Sequence, residues 1–557
     1  MSITINLKDY SALKPASGTV WITGWINGGD SAQFKVLQSN GTFEAPPAGG
    51  GVPFLKVDSL SSITLDEATN GANRLMFVVS QDKPAPLSIT NFSPKPYTQY
   101  PYMAAPGVAP AGPYDIFEFG MNAAFDLSAV NGFGLNLGFS ATGPDGAMYR
   151  YGVRETVTRK QVQSAYSAFI ENEKKHFEGA EYFKELLYTG ALPGSGYTPP
   201  MIGDEFFAIC DPNDMLAAKT ANYGGTTTDP LSTYWDDTVT ALFKHGNMVS
   251  IALGAANYLG IALDTSRLSA PPAVPANCTS TAFQFDIKGE HKYIFQPESG
   301  LRTAEFVFRQ SGFTTPGYGS DPIISQLQNN LIEAICRGVV LDGVKDPNGA
   351  STNNGFSTTA WNNDANWYKA GSTCHYYAKF LHCSDTDGKD YRTSNTQPIF
   401  YGGSAYGFSM DENPANWPAS AAQVPSKTPF NISSGTVDLW VGPYENQTHK
   451  RPNTGQYAFG FGTGCEALAP VVIDGQTYKA SGEGAIGGVL PDLPHWTKME
   501  FHGPGSGHYI WIKNGQVATG DCLSKPVEQP QKTPHVFAWP AGTDWKPGAT
   551  PPQKPSA

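Results

Sequence analysis

The apolar positions follow two periods along the chain. SGTVWITGWI (17–26) alternates and ends at Asn27-Gly28, a turn signal, so it reads as a strand. RLMFVVS (74–80) is a second apolar strand, and YDIFEFGMNAAFDLSAVNGFGLNLGFSAT (114–142) reads as two strands around a turn. A helical period follows. Thr158 and Gln161 fit a capping box, with Val162, Ala165, Phe169 and Ile170 on one face behind it. TYWDDTVTALFKHG (233–246) predicts a helix with a stripe of Tyr234, Trp235, Val239, Leu242 and Phe243. FQFDIKG, KYIFQ and AEFVFRQ, within 282–310, read as strands. Asp321-Pro322 then opens a helix, with Ile324, Leu327, Leu331 and Ile335 on one face and a stop at Gly338. PIFYGGSAYGFSMDENPANWP (398–418) suggests strand, turn, strand. HYIWIKNGQVATG is a hairpin turning at Asn514-Gly515.

Composition supports a mainly β protein. The 557 residues carry 60 Gly and 44 Pro, and aromatics make up 12%, which excludes a coiled coil, a helical bundle and a disordered chain. Lys and Arg number 37 against 49 Asp and Glu, a net charge of −12. That balance argues against nucleic acid or an anionic membrane as partner. There is no stretch of 18 apolar residues, so no transmembrane segment is expected. The N-terminus lacks a basic region followed by an apolar run, so no signal peptide is expected and the compartment stays open: cytoplasmic, or exported without a cleaved signal. Seven scattered cysteines without CxxC pairs read as buried thiols rather than a zinc site.

Six segments in this order resemble glycoside hydrolase family sixty-four, the thaumatin-like β-1,3-glucanases. They are SGTVWITG (17–24), NRLMFVVS (73–80), YDIFEFGMN (114–122), DLSAVNGFGLNLGF (126–139), IISQLQNNLIEAICRGVVL (323–341), and YYAKFLH (376–382) followed by SAYGFSMDEN (404–413). The resemblance covers about residues 15–420. It implies a thaumatin-like β-barrel or sandwich domain and a mixed α/β domain flanking an open groove that takes a β-1,3-glucan chain. The corresponding organisation is a β domain over 1–150, completed by 398–433, and an α/β domain over 151–397. An additional β unit over 434–523 follows, without counterpart in the family and able to recruit a protein partner, and then a Pro-rich tail over 524–557. The activity implied is endo-type hydrolysis with inversion, using carboxyls and water and no cofactor.

Inversion needs an acid to protonate the leaving oxygen and a base to activate a water, with carboxyls ~6.5–9.5 Å apart. Glu118 occupies the family's catalytic glutamate position. In IFEFG it shares a strand face with Ile116, while Phe117 and Phe119 take the other face, so Glu118 is expected to look into the cleft as the acid. Apolar surroundings would suit that role by raising its pKa. The resemblance puts Asn131 where the family carries its catalytic Asp, and an amide cannot serve as a base. Three readings follow: Asp126 or another carboxylate serves, Asn131 positions water in a slow enzyme, or catalysis is lost and a carbohydrate-binding or toxin-like protein remains. Asp411 and Glu412 match an acidic pair near the groove, with turn capping as the alternative. Trp361, Trp367, Tyr376 and Tyr377 are candidates for stacking on sugar rings, with core packing the alternative. His375 and His382 lack a third ligand, so no metal is expected.

Overall fold

The computed structural model describes residues 3–9, 18–26, 34–46, 51–65, 73–90, 93–94, 111–119, 125–142, 148–154, 157–190, 206–315, 321–342, 355–394, 396, 398–401, 407–408, 411 and 435–443, and the strands 457–461, 471–473, 476–478, 497–501, 508–513, 516–519 and 536–540.

Two sheets pack face to face. One orders its strands Met148–Gly152, Leu137–Thr142, Gly435–Val441, Ile3–Asp9 and Ser62–Leu65. The other orders Asp126–Ser128, Tyr114–Phe119, Asn73–Ser80, Thr19–Ile26, Lys35–Leu37 and Phe43–Glu44. Between them lies an apolar layer that includes Ile3, Ile5, Ile22, Phe77, Phe117, Phe139, Val437 and Leu439. No pairing among the described strands closes the two sheets into a barrel, so the architecture is a sandwich.

The second sheet is covered on both faces. Along Thr19–Ile26, Val20, Ile22 and Ile26 enter the sandwich core, while Trp21 and Trp25 enter a larger core shared with the helices. Leu75, Phe77 and Val79 alternate with Met76 and Val78 in the same way. A strand buried on both sides must be apolar at nearly every position, which TVWITGWI and NRLMFVVS satisfy.

The expected β unit over 434–523 starts elsewhere. Gly435–Val441 is an interior strand of the sandwich, parallel to Ile3–Asp9 and antiparallel to Leu137–Thr142. VDLWV carries the inward alternation that a sandwich strand needs, with Val437, Leu439 and Val441 facing the core. The expected completion by 398–433 reduces, among described residues, to contacts such as the bridge between Val153 and Phe400. Further on, Val471–Ile473, Gln476–Tyr478, Thr497–Phe501, His508–Lys513 and Gln516–Thr519 form a five-stranded antiparallel sheet. Lys513 pairs with Gln516, as a two-residue hairpin turn requires; Asn514 and Gly515 lie outside the described residues.

The helical part begins at Arg159–Lys174, capped by Thr158 and Gln161 in a reciprocal capping box. Pro322–Cys336 starts from the Asp321 cap, as read from sequence. The stripe at 233–246 gives only a short helix, Asp236–Leu242. AEFVFRQ departs from expectation: Leu301–Phe308 is helical. Its β-prone residues fall at helical spacing, with Ala304, Val307 and Phe308 turned into the core. Asp236 fixes its start by accepting from the Gly300 N–H at 2.8 Å and the Thr303 hydroxyl. A six-stranded sheet running Thr314–Thr315, Glu290–Pro297, Cys278–Ile287, Ala256–Asp264, Met248–Leu253 and Gly355–Ser357 completes this part. The five described cysteines are unpaired. Among the described residues no helix is long and apolar enough to cross a membrane.

Gly138 shows how tightly the late strand is built in. It sits opposite Trp440, and a Cβ there would fall 2.3 Å from the indole, whose Nε1 donates to the Val153 carbonyl at 3.2 Å. Gly138→Ala is expected to cost about 1–3 kcal/mol by overpacking, read as a lower urea midpoint.

Candidate functional site

Glu118 lies on the sheet face turned toward the larger core. Phe117 and Phe119 occupy the opposite face, inside the sandwich, as the alternation predicts. Strand register sets Trp25, Arg74, Glu118 and Asp126 in one row across four strands. Arg74 and Glu118 form an ion pair with side chains 15% and 18% exposed. This changes the expected environment of Glu118: a guanidinium, not only apolar surface, lies against the carboxylate. Asp126 is the register partner of Glu118, and its side chain lies outside the described residues.

The sequence reads 126–139 as one strand, but the backbone breaks twice. Asp126–Ser128 ends in a turn closed by the Gly132 N–H to the Ala129 carbonyl at 3.1 Å, with Gly132 at φ 137°. Asn131 stands exposed in this turn. Gly132 and Phe133 then pair with Cys210 and Ile209. That pairing brings the turn beside the N-terminus of the helix Pro212–Lys219. The Asn131 side-chain amide donates to Asp214 Oδ2 at 3.2 Å, and the Asn213 amide donates to Oδ1 at 3.2 Å. Asp211 caps the helix by accepting from the Asp214 N–H at 3.1 Å.

Sequence reasoning missed these carboxyls. Burial pushes Asp214 up to about 7 against the pull of the Asn131 and Asn213 amides. Asp211 is raised well above the usual carboxylate value, by burial and by Asp214 beside it. A usable signal existed: Asp211-Pro212 is the same helix start that was read at Asp321-Pro322. Asp115, on the other face of the Glu118 strand, is also pushed up to about 7 by burial, opposed by the N–H groups of Gly134, Ile116 and Leu135 and by Arg159. The two bonds from Gly134 and Leu135 make it a brace for the 134–135 backbone.

Other expected contacts are buried. Asp411 is 1% exposed; its Oδ2 accepts from His382 Nε2 at 2.6 Å and from the Gly407 N–H at 3.1 Å, and Arg337 lies 3.8 Å from Oδ1. Burial opposes its ionisation, but His382, Arg337 and the Gly407 N–H outweigh it and hold Asp411 below the usual value. It is a structural anchor with no surface for a sugar. Glu412 lies outside the described residues.

Trp361, Trp367, Tyr376 and Tyr377 are core residues in place of the expected stacking platform. Trp367 Nε1 donates to the Trp361 carbonyl at 2.5 Å, and Arg337 lies over the Trp367 ring at 4.0 Å. The Tyr376 hydroxyl donates to the Ser372 carbonyl at 2.9 Å, and the Tyr377 hydroxyl to the Ala129 carbonyl at 2.7 Å. WNNDANWYK and YYAKFLH are apolar at one helical or loop face each, and this packing consumes their rings. His375 caps the helix Tyr376–Cys383 through Nδ1. Among the described residues no group of three or more acidic, His or Cys side chains could hold a metal.

Among solved structures, the chain is similar to β-1,3-glucanases, two of them described as members of glycoside hydrolase family sixty-four. A β-1,3-glucanase domain of this family from Clostridium beijerinckii is 15% identical, with 79% of this chain and 98% of that chain covered and a TM-score of 0.49. A laminaripentaose-producing β-1,3-glucanase solved with laminaritetraose is 13% identical, with 80% and 99% covered and a TM-score of 0.47. The family enzyme from Paenibacillus barengoltzii, solved with laminarihexaose, is 13% identical over 79% of this chain and 75% of that one, with a TM-score of 0.38. No family model matches the chain, and no curated protein matches it.

Asp411→Ala is expected to act on stability rather than on ligand binding. It removes from the interior the carboxylate that faces Arg337 and His382, at a cost of about 3–5 kcal/mol. Asp411 is lowered from 3.8, so its stabilisation is complete above that value and fades as pH falls through the lower folded value. The variant should therefore differ from wild type in urea midpoint at pH 7, and the gap should narrow in strong acid.

Proposed function

We propose that this chain is a β-1,3-glucan-directed glycoside hydrolase, endo-acting and inverting, with Glu118 as one of its two carboxyls. The observation that carries the reading is the place of Glu118. It is a charged, incompletely buried side chain on a strand whose alternate residues fill the sandwich core, on the face turned toward the helical part. The six sequence segments that resemble the family support the substrate class. A groove between the sandwich and the α/β part would seat the glucan.

A second reading is favoured by Asn131. Its amide cannot act as a base, so the same groove would bind glucan without turnover, as a carbohydrate-binding or toxin-like protein. The C-terminal strands would then be free to serve a protein partner.

Reducing-sugar release from laminarin decides between them. The assay must reach turnover 10⁴-fold below a typical rate of ~10 s⁻¹. The hydrolase reading expects activity in the wild type, loss of about 10²–10⁴-fold in Glu118→Gln, and retained binding of that variant to insoluble glucan. Unchanged activity in Glu118→Gln would remove Glu118 from the site. An inert wild type that retains glucan binding, with turnover appearing in Asn131→Asp, would establish the binding reading instead.

A further inference from the structure

We propose that the C-terminal five-stranded sheet is a glycan-binding unit, with Tyr509 and Trp511 as its platform for an uncharged polysaccharide. The sheet is ordered Gln476–Tyr478, Val471–Ile473, Thr497–Phe501, His508–Lys513 and Gln516–Thr519, so His508–Lys513 is an interior strand. Strand register and the period of two fix which residues share a face. One face carries Val471, Ile473, Met499, Phe501, Ile510 and Ile512. The other carries Lys498, Glu500, Tyr509, Trp511 and Lys513.

An antiparallel sheet with one face on a core sorts its residues in this way, aliphatic on one face and polar on the other. Tyr509 and Trp511 break the sorting. Both are large aromatics, and they stand at alternate positions on the polar face of one interior strand. Two residues of antiparallel strand advance about 7 Å. On such a step two sugar units of one chain can each meet an aromatic ring, whose apolar face suits the apolar face of a sugar. The flanking residues match the same ligand. Glu500 is the register partner of Tyr509, and Lys498 is that of Trp511. A carboxylate accepts hydrogen bonds and an ammonium donates them. A sugar hydroxyl does both, so it serves either neighbour. An ionic polymer would be attracted by one and repelled by the other, and the net charge of −12 on the chain further disfavours a polyanion.

This assigns the C-terminal strands a glycan in place of the protein partner considered for the binding reading. The choice of a β-1,3-glucan as probe rests on the substrate class proposed above. The face itself does not, because binding there needs no turnover.

The test measures depletion isotherms of the full chain on insoluble curdlan, a β-1,3-glucan, with cellulose alongside. Tyr509→Ala combined with Trp511→Ala is expected to weaken binding about tenfold or more, with the rate of any hydrolysis of soluble laminarin unchanged. Glu500→Gln and Lys498→Met leave both rings in place, and each should weaken binding about three- to tenfold. These two variants decide the matter if the double alanine variant does not fold. Undiminished binding in a folded double variant, or in both Glu500→Gln and Lys498→Met, would overturn the assignment. So would a full chain that binds neither polysaccharide. Binding to cellulose in place of curdlan, lost in the same variants, would uphold the glycan face and count against the β-1,3-glucan reading. A wild type that binds curdlan through these residues without hydrolysing laminarin would sink the hydrolase reading and leave this inference standing.

Discussion

Arg159 is the constraint on which the arrangement of the site depends. Its guanidinium is fully buried and cannot shed its charge, so the surrounding backbone must satisfy it. Nε donates to the Gly134 carbonyl at 2.6 Å, one terminal nitrogen to the Phe206 carbonyl at 2.7 Å, and the other to the Phe207 carbonyl. The Phe206 ring lies 3.7 Å from the guanidinium carbon, and the Arg159 N–H reaches the Pro443 carbonyl at 2.8 Å. These acceptors come from the segment after the Asn131 turn, the approach to strand Ala208–Cys210, and the chain just past the last sandwich strand. Asp115 grips the same segment from its other side, through the Gly134 and Leu135 N–H groups. With Gly134 held at both its carbonyl and its N–H, the turn that carries Asn131 has one available path. That path runs antiparallel to Ala208–Cys210 and ends beside Asp211 and Asp214.

The covered sheet carries Glu118. Its strands bury aliphatic and Phe side chains on the sandwich side and Trp, Met and Tyr on the helix side. A charged residue in such a strand is costly unless it is paired. At the 74/118 row the two neighbouring strands each contribute one charge, of opposite sign and in direct register. Cross-strand pairing of this kind lets Arg74 and Glu118 stand on an otherwise apolar face. The ion pair therefore lowers the cost of placing Glu118 on this face.

Much of this frame was legible in the sequence. TVWITGWI, NRLMFVVS and the IFEF alternation gave the strands and the side of Glu118, because a period of two and the need to bury Phe117 and Phe119 leave little choice. Capping residues located Arg159–Lys174 and Pro322–Cys336 for a similarly local reason. The failures are non-local. Gly435–Val441 has the pattern of a strand, but only its partners, more than 290 residues upstream, show that it belongs to the sandwich. Trp361, Trp367, Tyr376 and Tyr377 are suited both to sugar faces and to cores, and composition cannot separate the two. Asp214 was invisible because its importance lies in Asn131, which is 83 residues away and meets it only through the pairing of Phe133 with Ile209.

The amide at 131 then takes on a physical meaning of its own. A carboxylate there would stand within hydrogen-bond distance of Asp214, with Asp211 behind it. Two carboxyls that close cannot both ionise, and they titrate as a pair sharing one proton. An amide avoids this: its N–H₂ group donates to Asp214 in either protonation state, because a protonated carboxyl keeps acceptor capacity. Asn131 and Asp214 are thus complementary, and each makes the other tolerable at a turn clamped from both sides by Arg159 and Asp115. Placing an acid at 131 changes the charge of the whole group and does not simply return a missing base. At this turn the neighbour that donates to the Asp214 carboxyl across the strand pairing is the amide of Asn131.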